Sequence, residues 1–157
     1  MALECLENSS KQRLALTEEE EFWMHMASVK ATCLVQKDFL KMLMETVDIQ
    51  RHKEYVTRYK PIEYVIEYYI QKPLKECSLN EVINGLVTGA RMSHWFDTVD
   101  YIDNDGHYTL IITHSLGINN SKIVKICNDS VFKKYGVKTE SSISEKTIFM
   151  KIFKIDS

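Results

Sequence analysis

The feature that most constrains the fold is a change of hydrophobic period near residue 97. Before this point, as in the segment that follows Pro61, apolar residues recur every three or four positions, which is typical of amphipathic helices. After it, residues 98–103 and 107–114 alternate and flank the turn 104–106 (Asn-Asp-Gly), a pattern that predicts a β-hairpin. The first half is therefore predicted to be helical and the second half to be rich in strands.

Two capping boxes mark predicted helix starts. Thr17 with Glu20, and Ser78 with Glu81, have the spacing at which each side chain bonds the other residue's backbone N–H. Between residues 78 and 93 glycine occurs at positions 85 and 89, where it lowers helix propensity. Close approach of another backbone is the expected reason for this pair.

The second half is predicted to have the order β-β-α-β-β. After the hairpin comes a helix that ends at Gly136 and has an apolar stripe, followed by strands over 137–143 and 146–155. The stripe consists of Val124, Cys127, Val131 and Tyr135. The predicted fold is α+β, with a helical N-terminal half packed on a small antiparallel sheet. Residues 1–16 are predicted to form a flexible arm and residues 17–157 a single domain, with a helical part (17–93) and a ββαββ part (97–157).

The last strand is apolar on both sides. Ile148, Met150 and Ile152 point one way, while Phe149 and Phe153 point the other. In a sheet with one solvent-exposed face, apolar and polar residues alternate more regularly along each strand. Both faces are therefore expected to be covered in part. The helix at 120–135 is expected on one face, and the N-terminal helices or a second subunit on the other. A homodimer is predicted on this basis.

Composition narrows the class and location of the protein. A formal net charge of -2 over 157 residues does not favour nucleic acid as a partner. There is no signal-peptide pattern and no apolar run of the roughly 20 residues that span a bilayer, so a cytoplasmic protein without a membrane partner is expected. The four cysteines are far apart, and no histidines show helical metal spacing. No metal and no cofactor are predicted.

Four residues are candidates for ligand binding. His114 ends a strand just before a helix start, where exposed N–H groups near Asn119 could hold an anionic group. The alternative is that His114 bonds a nearby backbone group and only finishes the strand. Tyr68 and Trp95 belong to an aromatic-rich region that can line a small-molecule pocket or an interface, or simply fill the core.

Cys77 is the redox candidate among the cysteines. It precedes a predicted helix start, where a thiolate is stabilised and the thiol pKa is expected to be lowered. Cys127 instead lies on the apolar stripe of its helix and is predicted to be a buried structural thiol.

The segment from Phe96 to Phe153 resembles a known group of domains. Its hairpin ends in His-x-Leu-Gly (114–117), its helix ends in Tyr-Gly (135–136), and a Ser/Thr/Glu-rich turn introduces the closing strand. This is similar to small effector or output domains of archaeal signalling and transcription-regulating proteins, including the methanogen-output and vinyl-reductase-like groups. The resemblance implies a non-enzymatic sensory or regulatory role.

Three functional hypotheses follow. The first is a dimeric regulatory or sensory module that binds a small ligand or a protein partner between the helices and the sheet. The second is a winged-helix-type DNA-binding transcription regulator, because helices at 61–72 and 78–93 precede a hairpin. Its would-be recognition helix, however, carries only Arg91 as a positive charge. The third is a small enzyme that uses His114 with a nearby carboxylate.

Overall fold

The computed structural model describes residues 17–30 and 35–154. The chain divides into two compact units, Met1–Leu34 and Val35–Ser157, and each is described by itself. The predicted arm at 1–16 lies outside the described residues. The single domain predicted for residues 17–157 stays a prediction.

The first unit contains helix α1 (Glu18–Ser28). The predicted capping box is present: Glu20 N–H donates to Thr17 Oγ1 at 3.2 Å, and Thr17 N–H donates to Glu20 Oε2 at 2.8 Å. The first turn carries four glutamates, whose charge favours the positive end of the helix dipole. Local sequence therefore determines where α1 begins.

The second unit has an α+β fold, as predicted. Its helices are α2 (Lys37–Glu45), α3 (Ile49–Tyr59), α4 (Pro61–Ile70), a single 3₁₀ turn (Leu74–Glu76), α5 (Leu79–Met92) and α6 (Ile118–Lys134). Its strands are β1 (Thr98–Asn104), β2 (His107–Thr113), β3 (Thr139–Ile143) and β4 (Thr147–Phe153). The helices of the N-terminal half precede the hairpin β1–β2, and α6 separates it from β3–β4, which confirms the ββαββ order.

The four strands form one antiparallel sheet in the order β1-β2-β4-β3. The central pair sets the register, with Leu110 opposite Met150 and Ile112 opposite Ile148. These side chains are fully or almost fully buried, and each contributes about 1.5–3 kcal/mol through removal of apolar surface from water. They belong to the main core, which is the larger buried cluster and includes residues of α4, α5, the sheet and α6.

Helices α5 and α6 cover the same face of the sheet. Val82 and Leu86 of α5 and Val124 and Phe132 of α6 all join the main core. The expectation that helix 120–135 and the N-terminal helices lie on opposite faces was therefore wrong for α5. The reason is that the two helices pack over different strands of that face, α5 over β1 and α6 over β3 and β4.

The other face of the sheet carries apolar side chains that are partly exposed. Phe149 is 36% exposed and Ile102 is 53% exposed. The two-sided pattern read from the last strand is therefore present, but its two sides differ in burial: Ile148, Met150 and Ile152 are fully buried.

The two helical glycines mark a close approach of α4 and α5, as expected. A Cβ added at Gly89 would lie 2.4 Å from Val65 Cγ1, and one added at Gly85 would lie 3.1 Å from Ile66 Cγ2. Any side chain at position 89 would have to displace Val65. The glycines therefore allow α4 to pack directly against α5.

We expect Glu81 to give the domain a specific sensitivity to acid. The Lys72 ammonium, 2.6 Å away, and the backbone and hydroxyl of Ser78 lower the pKa of Glu81 from 4.5 to about 2. A depressed carboxyl pKa stabilises the fold above pH 4.5, and this contribution is lost as pH falls towards 2. The Glu81→Gln variant should therefore be less stable than wild type at pH 6, by a difference that shrinks towards pH 2.

Urea unfolding across this pH range measures the difference. Glu54→Gln, at an exposed position on α3, is the matched control. A difference between wild type and Glu81→Gln that stays constant with pH would contradict the assignment.

Candidate functional site

A cavity of about 320 Å³ lies within the second unit, between its helices and the sheet. Residues of α3, α4, α5, β2 and α6 form its wall, together with the segment that links α5 to β1. Most of the wall is apolar: Ile62, Val65, Ile66, Leu86, Ala90, Phe96, Ile112, Ile123 and Val124. Ligand pockets in proteins typically measure about 300–1,000 Å³ and are lined in this way.

The cavity lies where two apolar clusters meet. Ile66, Leu86 and Val124 belong to the main core. Ile123 and Cys127 belong to a second cluster, which they form with Val56 of α3. Helix α6 contributes to both clusters, so the space between them is bounded by α6 on one side.

Asn128 is the polar group in the wall with an unmet hydrogen-bonding need. It is 3% exposed, and its Nδ2 has no hydrogen-bond partner among the described residues. A buried donor without a partner costs about 1–3 kcal/mol. Sequence analysis overlooked Asn128, although its spacing from Val124 and Val131 places it on the apolar face of α6 and could have indicated it.

Cys127 and His52 form a thiol–imidazole contact beside Asn128. Cys127 Sγ lies 3.9 Å from His52 Nε2, and both residues line the cavity. Burial raises the pKa of the Cys127 thiol to about 11 and lowers the pKa of His52 below 6.5. Near pH 7 both groups are therefore neutral, and the pair presents no thiolate.

Trp95 lies in the cavity wall, so this predicted ligand residue meets the cavity. Its indole Nε1 donates to Asn120 Oδ1 at 2.7 Å, and its backbone N–H donates to Ser93 Oγ at 3.2 Å. Asn120 is fully buried, and its Nδ2 has no partner within the described part of the chain. The indole ring is thus fixed in position by α6.

His114 is buried outside the cavity wall. Its Nδ1 accepts from Leu116 N–H at 3.2 Å, so the neutral ring carries its proton on Nε2 and donates to Ser121 Oγ at 2.8 Å. Ser121 in turn donates to the carbonyl oxygen of Ser144 at 2.6 Å. Burial lowers the pKa of His114. This arrangement matches the alternative in which His114 finishes the strand and holds nearby backbone.

The structure places Asn119 and Tyr68 away from the cavity. Asn119 Nδ2 donates to the carbonyl oxygen of Met44 at 2.9 Å, which ties the start of α6 to the end of α2. The first residue of α6 is Ile118, and Gly117 precedes it without a side-chain cap. Tyr68 is partly buried on α4. Of the four predicted ligand residues, the structure brings Trp95 alone to the cavity wall.

Cys77 is buried, and its thiol donates to the carbonyl oxygen of Pro73 at 3.5 Å. Burial raises the pKa of Cys77, and the nearby Lys72 offsets only part of this rise. The direction is opposite to the lowering expected from the helix start, because loss of water around the sulfur outweighs the local positive charge. Cys77 therefore remains a thiol near pH 7.

The described residues also bear on metal binding and on membrane insertion. No three His, Cys, Asp or Glu side chains in the described ranges are grouped so that they could hold a metal ion. Within 17–30 and 35–154, no helix has both the length and the apolar character needed to cross a membrane.

The fold and the cavity define a small α+β domain whose helices enclose an apolar pocket against one face of an antiparallel sheet. The chain belongs to the archaeal-named family AF_0136_C, whose model, described as a family C-terminal domain, matches residues 34–153. The match begins one residue before the second compact unit. No curated protein matches the chain. The family has an archaeal name, which agrees with the predicted resemblance to archaeal domains. The signalling and transcription roles stay predictions.

We expect His114→Ala to reduce stability without changing the cavity. The substitution leaves Leu116 N–H without its acceptor and opens space in a site that is 1% exposed, at a cost of about 2–4 kcal/mol. Urea unfolding at neutral pH measures the loss. His107→Ala, at the partly exposed end of β2, is the control and should change stability by less than about 1 kcal/mol.

Proposed function

We propose that this domain is a non-enzymatic regulatory or sensory module that binds a small ligand in the cavity between its helices and its sheet. The observation that carries the proposal is the cavity itself, which measures about 320 Å³ and has a largely apolar wall. A ligand that fills the cavity would remove this apolar wall from water.

The chemistry of the wall supports binding rather than catalysis. Cys127, the nucleophile candidate in the wall, keeps its thiol protonated near pH 7, since burial raises its pKa to about 11, and its Sγ lies 3.9 Å from His52 Nε2. His114, the residue of the enzymatic hypothesis, uses both ring nitrogens in hydrogen bonds with Leu116 and Ser121, outside the cavity wall. Cys127 is therefore not an activated thiolate, and His114 is not available as a base in the cavity.

The DNA-binding hypothesis finds less support. Helix α5 would be the recognition helix, yet Asn80 and Arg91 are its only exposed residues. Arg91 NH2 lies 2.9 Å from Asp100 Oδ1, so this cation already has an anionic neighbour. A recognition helix needs an exposed face that reaches base edges and phosphates.

The homodimer and a protein partner remain predictions. The sheet face with Ile102 and Phe149 offers partly exposed apolar surface for such contacts. Sedimentation equilibrium at micromolar concentration would measure the association, and a monomer at all concentrations would remove the homodimer.

Blocking the cavity tests the proposed function. Ala90 lines the cavity, so Ala90→Phe should place a ring inside it. Titration with phenylnaphthylamine, an uncharged dye that fluoresces in apolar surroundings, should show affinity for Ala90→Phe reduced roughly tenfold or more, which corresponds to about 1.4 kcal/mol. Thermal stability should be retained, because the new ring occupies existing space.

The same substitution at the exposed Ala27 of α1 is the matched control and should leave dye affinity unchanged. If Ala90→Phe folds and binds the dye as wild type does, ligand binding in this cavity is the wrong function.

A further inference from the structure

We infer that the ligand of this cavity is an uncharged hydrocarbon or aromatic molecule, and that the cavity holds it through apolar contacts rather than hydrogen bonds. The inference rests on the proposed function and adds to it the chemical class of the ligand. It follows from the lack of charge in the cavity wall and from the hydrogen bonds that the polar side chains of the wall already make.

The cavity wall offers no counter-charge to an ion. Among the described residues that line the cavity, none is Asp, Glu, Lys or Arg. His52 also lines it, and burial lowers the pKa of this imidazole below 6.5. A carboxylate or an ammonium group inside the cavity would lose its hydration without gaining an ion pair, which is strongly unfavourable. The wall therefore selects a neutral ligand.

The polar side chains between α5 and β1 already have partners within the protein. Trp95 Nε1 donates to Asn120 Oδ1 at 2.7 Å. Ser93 Oγ donates to the carbonyl oxygen of Ala90 at 2.8 Å and accepts from the Trp95 backbone N–H at 3.2 Å. Asn128 Nδ2 has almost no accessible surface, so a molecule in the cavity does not reach it. These groups leave no free donor for a ligand.

The buried part of the wall is mainly aliphatic. Its largest side chains are those of Ile66, Leu86, Ile112, Ile123 and Val124, all of them buried. A carbonyl or hydroxyl group placed against these side chains would lose its hydrogen bonds to water and find no replacement. A hydrocarbon surface placed there loses nothing and is removed from water, which is favourable.

The volume of the cavity suits a compound with two fused rings. Apolar cavities of about 150 Å³ in protein cores stay dry and bind benzene. The present cavity measures about 320 Å³, roughly twice that volume. Naphthalene derivatives are therefore suitable probes of its chemistry.

Matched naphthalene compounds test the ligand class. Ethylnaphthalene, acetylnaphthalene, naphthoate and naphthylmethylammonium share one ring system and carry a hydrocarbon, a ketone, an anion or a cation. Displacement of phenylnaphthylamine from the full chain at neutral pH measures each affinity. We expect the ketone to bind roughly fivefold more weakly than the hydrocarbon, and both ions to bind more weakly than the hydrocarbon by roughly tenfold or more.

A charge introduced at the edge of the cavity tests the reason for this order. Tyr55 lines the cavity and is 48% exposed, so Tyr55→Lys should bring an ammonium to the edge while its aliphatic stem keeps apolar contact. Naphthoate affinity should rise roughly fivefold and naphthylmethylammonium affinity should fall. Tyr69→Lys, at an exposed position of α4 outside the cavity wall, is the matched control and should keep the wild-type order.

The outcomes separate the inference from the proposed function. If the ketone or either ion binds wild type as tightly as ethylnaphthalene does, the ligand class is wrong while binding in the cavity stands. If Tyr55→Lys binds ethylnaphthalene but gains no affinity for naphthoate, the lack of counter-charge is not what excludes anions, and that part of the inference is overturned. If the dye and every compound fail to bind wild type, the proposed function is wrong and the inference falls with it. The order measured for wild type decides the ligand class even where Tyr55→Lys fails to fold.

Discussion

The packing of α6 against two separate apolar clusters is the interaction on which the rest of the second unit depends. Val124 and Phe132 insert into the main core over the sheet, while Ile123 and Cys127 hold α3 through Val56. A helix with apolar contacts on two adjacent faces is buried along most of its length, as α6 is. The cavity is the space that remains where the two clusters diverge.

The local packing of α4 and α5 explains why this space is not filled. Glycine at position 89 removes a side chain at the point where Val65 approaches, so the helices meet closely on one side of the cavity. Both residues also line the cavity. A larger residue at 89 would push Val65 into it. The absence of a side chain at position 89 therefore permits both the close helix contact and the open volume. Protein interiors are usually close-packed, so a protein selected only for stability would be expected to fill this volume.

Sequence patterns were sufficient for the features that are local. Alternation around 104–106 predicted the hairpin, and the Ser78–Glu81 spacing predicted the start of α5. The side of the sheet on which α5 lies was not predictable, because an amphipathic helix fits either face. The cavity joins residues from His52 to Asn128, so its volume depends on packing between distant segments. Trp95 was found through its aromatic neighbours, whereas Asn128 could be recognised only as a polar residue on an apolar stripe.

His114 and Asn128 show how buried polar side chains can be sorted by their hydrogen bonds. His114 has a partner on each ring nitrogen, and its chain through Ser121 ends on a backbone oxygen. It therefore has no capacity left for a ligand, although a histidine at a strand end attracts attention in the sequence. Asn128 is buried at a similar level, but its Nδ2 has no hydrogen-bond partner in the described part of the chain. The two residues therefore differ in energy: the hydrogen bonds of His114 offset the cost of burying its ring, whereas the unpaired donor of Asn128 lowers the stability of the fold by about 1–3 kcal/mol.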